Sequence, residues 1–147
     1  MKRAVLVSLV VIAVIILDQA TKFLIMNHVS LLESIEVFPF LHIVYVQNTG
    51  AAFGSFKNLG SAFFIGISAV AIIFVIYLLK RNAYNQFGLS LVLGGAIGNL
   101  IDRLLYGKVV DFIDFFVGDF HWPAFNVADS ALTIGIGIIL LTSLMKR

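Results

Sequence analysis

The sequence predicts an all-α integral membrane protein with four transmembrane helices and a small β-rich segment between the first and second helices. Its 147 residues are 61% hydrophobic and 12% charged, whereas a soluble domain is roughly half apolar and about a quarter charged. Several uncharged stretches also approach the roughly 20 residues that a helix needs to cross about 30 Å of hydrocarbon. A soluble globular core is the weaker interpretation.

The four spans are predicted at about residues 4–26, 59–79, 87–103 and 126–145. The second is the clearest, because residues 59–79 carry no charge and are bounded by Lys57 and Lys80. The apolar part of the first ends at Leu17 and is too short to cross alone, so we expect the helix to continue through Asp18 and Lys22. Two charged side chains would then lie at membrane depth.

The third and fourth spans also carry polar residues near one end. The third is short, and we expect it to stop at Asp102 and Arg103. The fourth has Asp129 near its start. No internal repeat or low-complexity linker is evident, so we expect residues 1–147 to form a single domain.

A cleavable signal peptide is the alternative interpretation of the N-terminus, because Lys2 and Arg3 precede an apolar run. However, no small-x-small cleavage site follows Leu17, and a charged pair follows instead. We therefore favour a retained first helix.

The distribution of basic residues predicts the orientation in the membrane. A model with four spans collects six basic residues on one side, without an acidic residue among them: Lys2, Arg3, Lys80, Arg81, Lys146 and Arg147. By the positive-inside rule, this side, with both termini, is cytoplasmic. The opposite side receives two longer segments, about residues 28–58 and 104–125, which hold Glu33, Glu36, Asp111, Asp114 and Asp119.

The first of these segments has β-strand composition. It is rich in aliphatic and aromatic residues, interrupted by Pro39, and is expected to lie against the membrane. The second segment is predicted to be a loop that carries Asp111.

Composition also excludes several kinds of site. The chain has no cysteine, hence no disulfide, thiol nucleophile or iron–sulfur cluster. His28, His42 and His121 lack the close spacing of a zinc pair on a helix, so neither a metal nor another cofactor is expected. The basic residues form no continuous face, which argues against nucleic acid as a partner.

With this orientation, polar residues far apart in sequence converge at the outer ends of the helices. The first and third helices run outward and end near these groups, and the fourth begins beside the segment with Asp111. The spacings i,i+4 and i,i+3 place each pair on one helix face. The converging residues are Asp18, Lys22, Asn99, Asp102, Arg103, Asn126 and Asp129.

Structural roles compete with functional ones for several of these residues. Asp18 and Lys22 could simply neutralise each other in lipid, and Arg103, with Asn99, could anchor the helix end at headgroups. Gly94 and Gly98 are more typical of close helix packing than of chemistry.

The acids differ in how readily a structural role explains them. Asp111, Asp114 and Asp119 could be solvated loop charges, which is the preferred interpretation for Asp119. Asp129 is harder to explain in this way, because it lies about one turn into an apolar helix.

A pair of carboxylates is the chemistry that remains, since the sequence has no nucleophile elbow and no phosphate-binding loop. Two carboxyls held close in a low-dielectric site cannot both ionise, so one stays protonated while the other acts as a base. Such a pair can activate water against a peptide bond. Asp129 is one candidate member, and composition does not choose between Asp111 and Asp114 for the other.

Five short motifs resemble, in order, the signature blocks of the lipoprotein signal peptidase family, also called signal peptidase II. They are DQATK at 18–22, NTGAAFG at 48–54, GAIGNLIDR at 95–103, VDF at 110–112 and FNVADS at 125–130. One block would be a weak signal, but five in order are highly specific. The resemblance covers essentially the whole chain, and the less regular stretch lies at residues 114–123.

This resemblance implies a peptidase of the bacterial cytoplasmic membrane that removes signal peptides just before a diacylglyceryl-modified cysteine. It implies Asp111 and Asp129 as the catalytic pair, at the periplasmic face, and so chooses Asp111 over Asp114. The expected partners are diacylglyceryl-modified prolipoproteins and membrane lipid, and the expected state is a monomer. The positions that would bind substrate or support the site are Asp18, Lys22, Asn48, Gly50, Asn99, Asp102, Arg103 and Asn126.

Two other functions compete with this one. A small proton-coupled transporter would also place acids and a lysine in the membrane, but it would distribute polar residues through its depth, whereas here they gather at one end. A membrane assembly factor without chemistry would leave the charge cluster unexplained.

Overall fold

The computed structural model describes residues 2–50 and 60–145. Its elements follow in the order α1 (Lys2–His28), β1 (Ser34–Phe38), β2 (Leu41–Asn48), α2 (Gly60–Arg81), α3 (Gln86–Tyr106), β3 (Val109–Val117), β4 (Phe120–His121) and α4 (Val127–Leu144). All four helices are long and apolar enough to cross a membrane.

A helix lies at each of the four predicted spans, and its ends differ from the predicted ones by a few residues at most. Helix α1 runs through Asp18 and Lys22 to His28, as expected. Helix α3 continues three residues past the expected stop at Asp102 and Arg103, to Tyr106, and ends in a left-handed cap at Gly107 (φ +70°). Residues 1, 51–59 and 146–147, among them Lys57 and the basic pair at the C-terminus, lie outside the described residues.

Helix α3 is the central helix of the bundle and packs against α1, α2 and α4. Glycines allow the close approach: a Cβ at Gly94 would lie 2.8 Å from the Cβ of Val14 in α1, and a Cβ at Gly135 in α4 would lie 2.6 Å from the carbonyl oxygen of Gly88. A Cβ at Gly98 would lie 2.7 Å from Asp18 Oδ2 in α1, so the prediction that Gly94 and Gly98 serve helix packing agrees with the structure. Small residues therefore bring the polar ends of three helices together.

The outer faces of the helices expose large apolar side chains, as a lipid environment requires. Leu9 and Ile16 of α1, Val70 and Ile73 of α2 and Leu140 of α4 each leave more than half of their surface exposed. In water such a surface would be a large aggregation hazard. In a bilayer it is the lipid-facing surface.

The strands form one four-stranded antiparallel sheet in the order β1-β2-β3-β4. The prediction of β-structure between α1 and α2 is confirmed by β1 and β2, which are joined by a turn at Pro39 and Phe40. The prediction that the second outer segment is a loop is wrong. That segment contributes β3 and β4, and β3 pairs with β2 along most of its length, from Leu41↔Phe115 to Asn48↔Val109.

Candidate active site

Asp129 lies in the first turn of α4 and is held there by a capping box. The Asn126 side chain accepts a hydrogen bond from the Asp129 backbone N–H (2.9 Å), and the Asp129 carboxylate accepts one from the Asn126 backbone N–H (3.2 Å). This reciprocal pair satisfies two N–H groups that the start of a helix leaves unpaired. The local sequence thus fixes the position of the carboxylate before any tertiary contact is made.

Asp111 lies near the start of β3, in register with Val46 of β2, and is only 3% exposed. Its two oxygens accept hydrogen bonds from two amides, Asn126 Nδ2 at 2.7 Å and Asn48 Nδ2 at 3.0 Å. The backbone N–H of Gly50 donates in turn to Asn48 Oδ1 (2.9 Å), which fixes the orientation of that amide.

Asn126 connects the two acids directly. Its backbone N–H donates to Asp129, and its side-chain Nδ2 donates to Asp111. The residue is fully buried. Because one residue contacts both carboxyls, Asp111 and Asp129 are neighbours across the junction between β3 and α4.

Asn99 of α3 completes this connection from a third element. Its Nδ2 donates to Asp129 Oδ1 (2.8 Å), and its Oδ1 accepts from Asn126 Nδ2 (3.2 Å) and from the ammonium group of Lys22 (3.1 Å). The amide is thereby locked in one orientation, with its donor end facing the acid.

A cavity of about 580 Å³ opens beside the two carboxyls. Its wall combines polar residues with apolar side chains of α4 and of the segment before it. The lining residues comprise Asn48, Gly50, Asn99, Arg103, Val109, Asp111, Trp122, Pro123, Ala124, Phe125, Asp129, Ser130, Leu132, Thr133 and Ile134. A cleft of this size with a few convergent polar groups is typical of a ligand site.

Arg103 is the cation among the described residues that line this cavity. Its guanidinium lies over the ring of Phe64 in α2, 5.5 Å from the centroid, and is 3.4 Å from the carbonyl of Asn99. Within residues 2–50 and 60–145, no carboxylate lies within salt-bridge distance of it. Its remaining donors can therefore serve a bound molecule.

Burial raises the pKa of Asp111 to about 7, and the neighbouring charge of Asp129 acts in the same direction. The hydrogen bonds from Asn48 and Asn126 stabilise the ionised form and limit the increase. At neutral pH Asp111 can therefore hold or release a proton.

The remaining predicted residues lie behind the cavity wall. Lys22 forms ion pairs with Asp18 (2.8 Å) and Asp102 (2.9 Å), and all three side chains are at most 1% exposed. The expected pairing of Asp18 with Lys22 is confirmed, and Asp102 joins it. All ten predicted site residues are thus brought to one end of the bundle.

Asp114 and Asp119 lie apart from this site. Asp114 is three positions from Asp111 along β3, so the two side chains point to opposite faces of the sheet. It contacts His121 Nδ1 at 2.8 Å, with His42 Nδ1 3.9 Å away. Asp119 lies exposed in the turn between β3 and β4, as expected. His42 and His121 are far apart in sequence, and pairing of β2, β3 and β4 places both beside Asp114.

Sequence reasoning did not identify two sets of functional candidates. One is the apolar part of the cavity wall, for example Trp122, Phe125 and Leu132, which resembles any other apolar segment in a membrane protein. The other is Gln19, whose amide reaches Asp18, Gly98 and Asp102. A sequence feature does mark Gln19, because it is a polar residue next to a charged one inside an apolar helix.

Known proteins are similar to this chain in sequence. A family model described as signal peptidase (SPase) II matches residues 10–145. The lipoprotein signal peptidase of Thermodesulfovibrio yellowstonii is 48% identical over 139 residues, 95% of this chain and 95% of that protein. The lipoprotein signal peptidase of Syntrophotalea carbinolica is 47% identical and covers 90% of this chain and 87% of its own length.

Two solved structures, both described as bacterial membrane enzymes, share the fold. One has a TM-score of 0.88 at 39% identity and covers 95% of this chain and 87% of its own. The other has a TM-score of 0.84 at 40% identity and covers 96% and 94%. The likeness therefore extends over the whole bundle and sheet.

Proposed function

This chain belongs to the signal peptidase II family and cleaves the signal peptides of lipoproteins, and we propose that it does so as an aspartic endopeptidase with Asp111 and Asp129 as its catalytic pair. The observation that carries the proposal is the position of Asn126, which donates one hydrogen bond to each carboxyl. Both acids also line one cavity. The arrangement supports Asp111, and not Asp114, as the partner of Asp129.

The proposed reaction needs one proton shared between the two carboxyls. The ionised carboxylate takes a proton from a water molecule, the resulting hydroxide attacks the scissile carbonyl carbon, and the protonated carboxyl gives its proton to the carbonyl oxygen. The tetrahedral diol then collapses, and a proton passes to the leaving nitrogen as the C–N bond breaks. The products are a carboxylate and a free amine, without a covalent enzyme intermediate.

Asn48, Asn99 and Arg103 are proposed to hold the substrate and the acids in position. Asn99 directs its N–H toward Asp129, which keeps the carboxyl oriented toward the cavity. Arg103 offers donors to backbone carbonyls of an extended peptide. A helical peptide has already used those carbonyls, so we expect the substrate to bind unwound.

The apolar part of the cavity suits the lipid of the substrate. Leu132 and Ile134 extend along α4 from the acids toward the bilayer interior. We propose that a diacylglyceryl-modified cysteine binds with its acyl chains against this wall and its peptide bond beside Asp111. The apolar contact would contribute about 25 cal/mol for each Å² of buried surface.

The site is proposed to face the periplasm from the bacterial cytoplasmic membrane, with both termini cytoplasmic. The support is the distribution of charge in the sequence, where the basic residues cluster opposite the acidic segments. A monomer suffices for this chemistry, because one chain supplies both acids. The transporter considered from the sequence gains no support, since the family that matches is a peptidase family.

The experiment that tests this proposal combines substrate choice with a nucleophile trap. Purified protein in detergent should cleave a diacylglyceryl-modified precursor and leave the unmodified precursor intact. With hydroxylamine present, direct attack by water yields only the carboxylate product. A hydroxamate at the new C-terminus of the released signal peptide would reveal an acyl-enzyme and refute the aspartic mechanism, whereas cleavage of both precursors would refute the lipid requirement.

A further inference from the structure

Two buried aspartates behind the cavity each bind the residue that precedes a proposed catalytic acid. Asp102 Oδ2 accepts a hydrogen bond from the backbone N–H of Val110 (3.0 Å), and Asp18 Oδ1 accepts one from the backbone N–H of Ala128 (2.9 Å). Val110 immediately precedes Asp111, and Ala128 immediately precedes Asp129. One aspartate therefore holds β3 and the other holds the start of α4.

Lys22 and Gln19 join these two aspartates to each other. The Lys22 ammonium lies 2.8 Å from Asp18 Oδ2 and 2.9 Å from Asp102 Oδ2. Gln19 Nε2 donates to Asp18 Oδ2 (3.1 Å) and to Asp102 Oδ1 (2.9 Å). Each of the four carboxylate oxygens thus has at least one donor, and two donors are shared.

Charge neutralisation alone does not account for this arrangement. One lysine is balanced by one aspartate, yet two aspartates are buried here beside Lys22, and burying an extra carboxylate is costly. The extra carboxylate is accommodated by a backbone N–H on one side and the Gln19 amide on the other. Among the residues that the structure describes, no buried polar side-chain atom lacks a partner.

We propose that Gln19, Lys22, Asp18 and Asp102 form a bracket that sets the separation and orientation of Asp111 and Asp129. This inference rests on the catalytic role proposed for those two acids. The four bracket residues are positioning residues, since none is among the described residues that line the cavity. They act on the rate of the chemical step and leave substrate binding nearly unchanged.

The test compares two substitutions at Asp102. Asp102→Asn keeps an oxygen that can accept from Val110 and Lys22, and the Gln19 amide can rotate to face the new N–H group. Asp102→Ala removes the acceptor for Val110. Ser90→Ala is the matched control, because Ser90 is also buried in α3 but bonds only the carbonyl of Gln86 in its own helix (2.6 Å).

Single-turnover cleavage of a diacylglyceryl-modified precursor is measured over a range of enzyme concentrations, which separates the maximal rate from the half-saturating concentration. A displacement of about 1 Å can cost roughly 100-fold in rate. We expect Asp102→Ala to lower the maximal rate by about that factor, with half-saturation within about threefold, and Asp102→Asn to stay within about tenfold of the parent. Ser90→Ala should match the parent.

Equal maximal rates for folded Asp102→Ala and the parent would overturn the bracket, and so would equal losses in the Asn and Ala variants. If Asp102→Ala does not fold, Gln19→Met decides, because Gln19 is half-buried and uncharged: a fall of about tenfold or more supports the bracket, and an unchanged rate overturns it. Asp111→Asn is measured alongside. If Asp111→Asn remains active, the catalytic assignment has failed, and the bracket proposal that rests on it fails with it. If Asp111→Asn is inactive, the comparison at Asp102 decides on the bracket alone.

Discussion

Gly95 of α3 packs directly on the backbone carbonyl of Ala128 in α4, so that a Cβ at this position would overlap with the oxygen. Ala128 precedes Asp129, and this contact therefore fixes how closely α4 approaches α3 at the site. No flexible side chain can yield, because the obstacle is backbone.

Gly95→Ala is expected to displace the start of α4 and to lower turnover by roughly 100-fold, the cost of a displacement near 1 Å, with a clear loss of thermal stability. Gly66→Ala is the control, since a Cβ at Gly66 in α2 meets nothing within 4 Å. Both are measured as turnover per folded enzyme and as Tm in detergent. Equal behaviour of the two variants would show that this helix contact does not hold the site.

The pH dependence of kcat/KM should report the proton that the two acids share. Burial and the charge of Asp129 raise the pKa of Asp111 to about 7. Above that pH Asp111 gives up its proton and the pair loses the proton that it shares, so activity should fall as pH rises through the neutral range.

Asn48→Ala tests the same assignment by the direction in which the alkaline limb of the pH profile moves. The Asn48 amide stabilises the ionised form of Asp111, so its removal raises the pKa of Asp111 and should move the alkaline limb to higher pH. Gln47→Ala, on the neighbouring position of β2, should leave the limb in place. A limb that moves to lower pH in Asn48→Ala would contradict the assignment.

Lys22→Ala should lower activity, but less than the loss of either Asp111 or Asp129, because Lys22 does not contact the cavity. It should also reduce stability strongly, since Asp18 and Asp102 would remain buried without their cation. Breaking a buried pair in this way costs on the order of 3–5 kcal/mol. Lys80→Ala, at an exposed position, is the control for both readouts.

The predicted orientation can be tested with a reporter that is active only in the periplasm. Fused at Arg147 it should be inactive, and inserted at Asp119, in the exposed turn between β3 and β4, it should be active. The expectation follows from the positive-inside rule. Strong activity at Arg147 would refute the model in which both termini are cytoplasmic.

The helices and the convergence of polar residues at one end of the bundle were predictable from sequence, because long apolar runs and charges inside them are local signals. The strand that carries Asp111 could not be predicted from the sequence. Its two acids are three positions apart and break the alternation expected of a strand. Its pairing with β2 joins residues that are 61 positions apart at Asn48↔Val109 and 74 apart at Leu41↔Phe115.

Contacts between side chains of different helices could likewise not be predicted from local sequence patterns. The i,i+4 spacing predicted that Lys22 meets Asp18, but its second partner, Asp102, comes from α3. Gln19 was missed because an uncharged amide gives a weaker signal than a charge at the same depth.

A single-turnover assay on Asp111→Asn, Asp129→Asn and Asp114→Asn tests the catalytic assignment most directly. An amide matches a carboxyl in size but cannot take a proton from water, and general acid or base catalysis is worth roughly 100- to 10,000-fold. We expect the first two variants, and their double mutant, to lose nearly all turnover to a similar extent while they still bind lipidated precursor, and Asp114→Asn to stay active. An inactive Asp114→Asn with an active Asp111→Asn would contradict the assignment of the pair, and activity in all of the variants would contradict the aspartic mechanism.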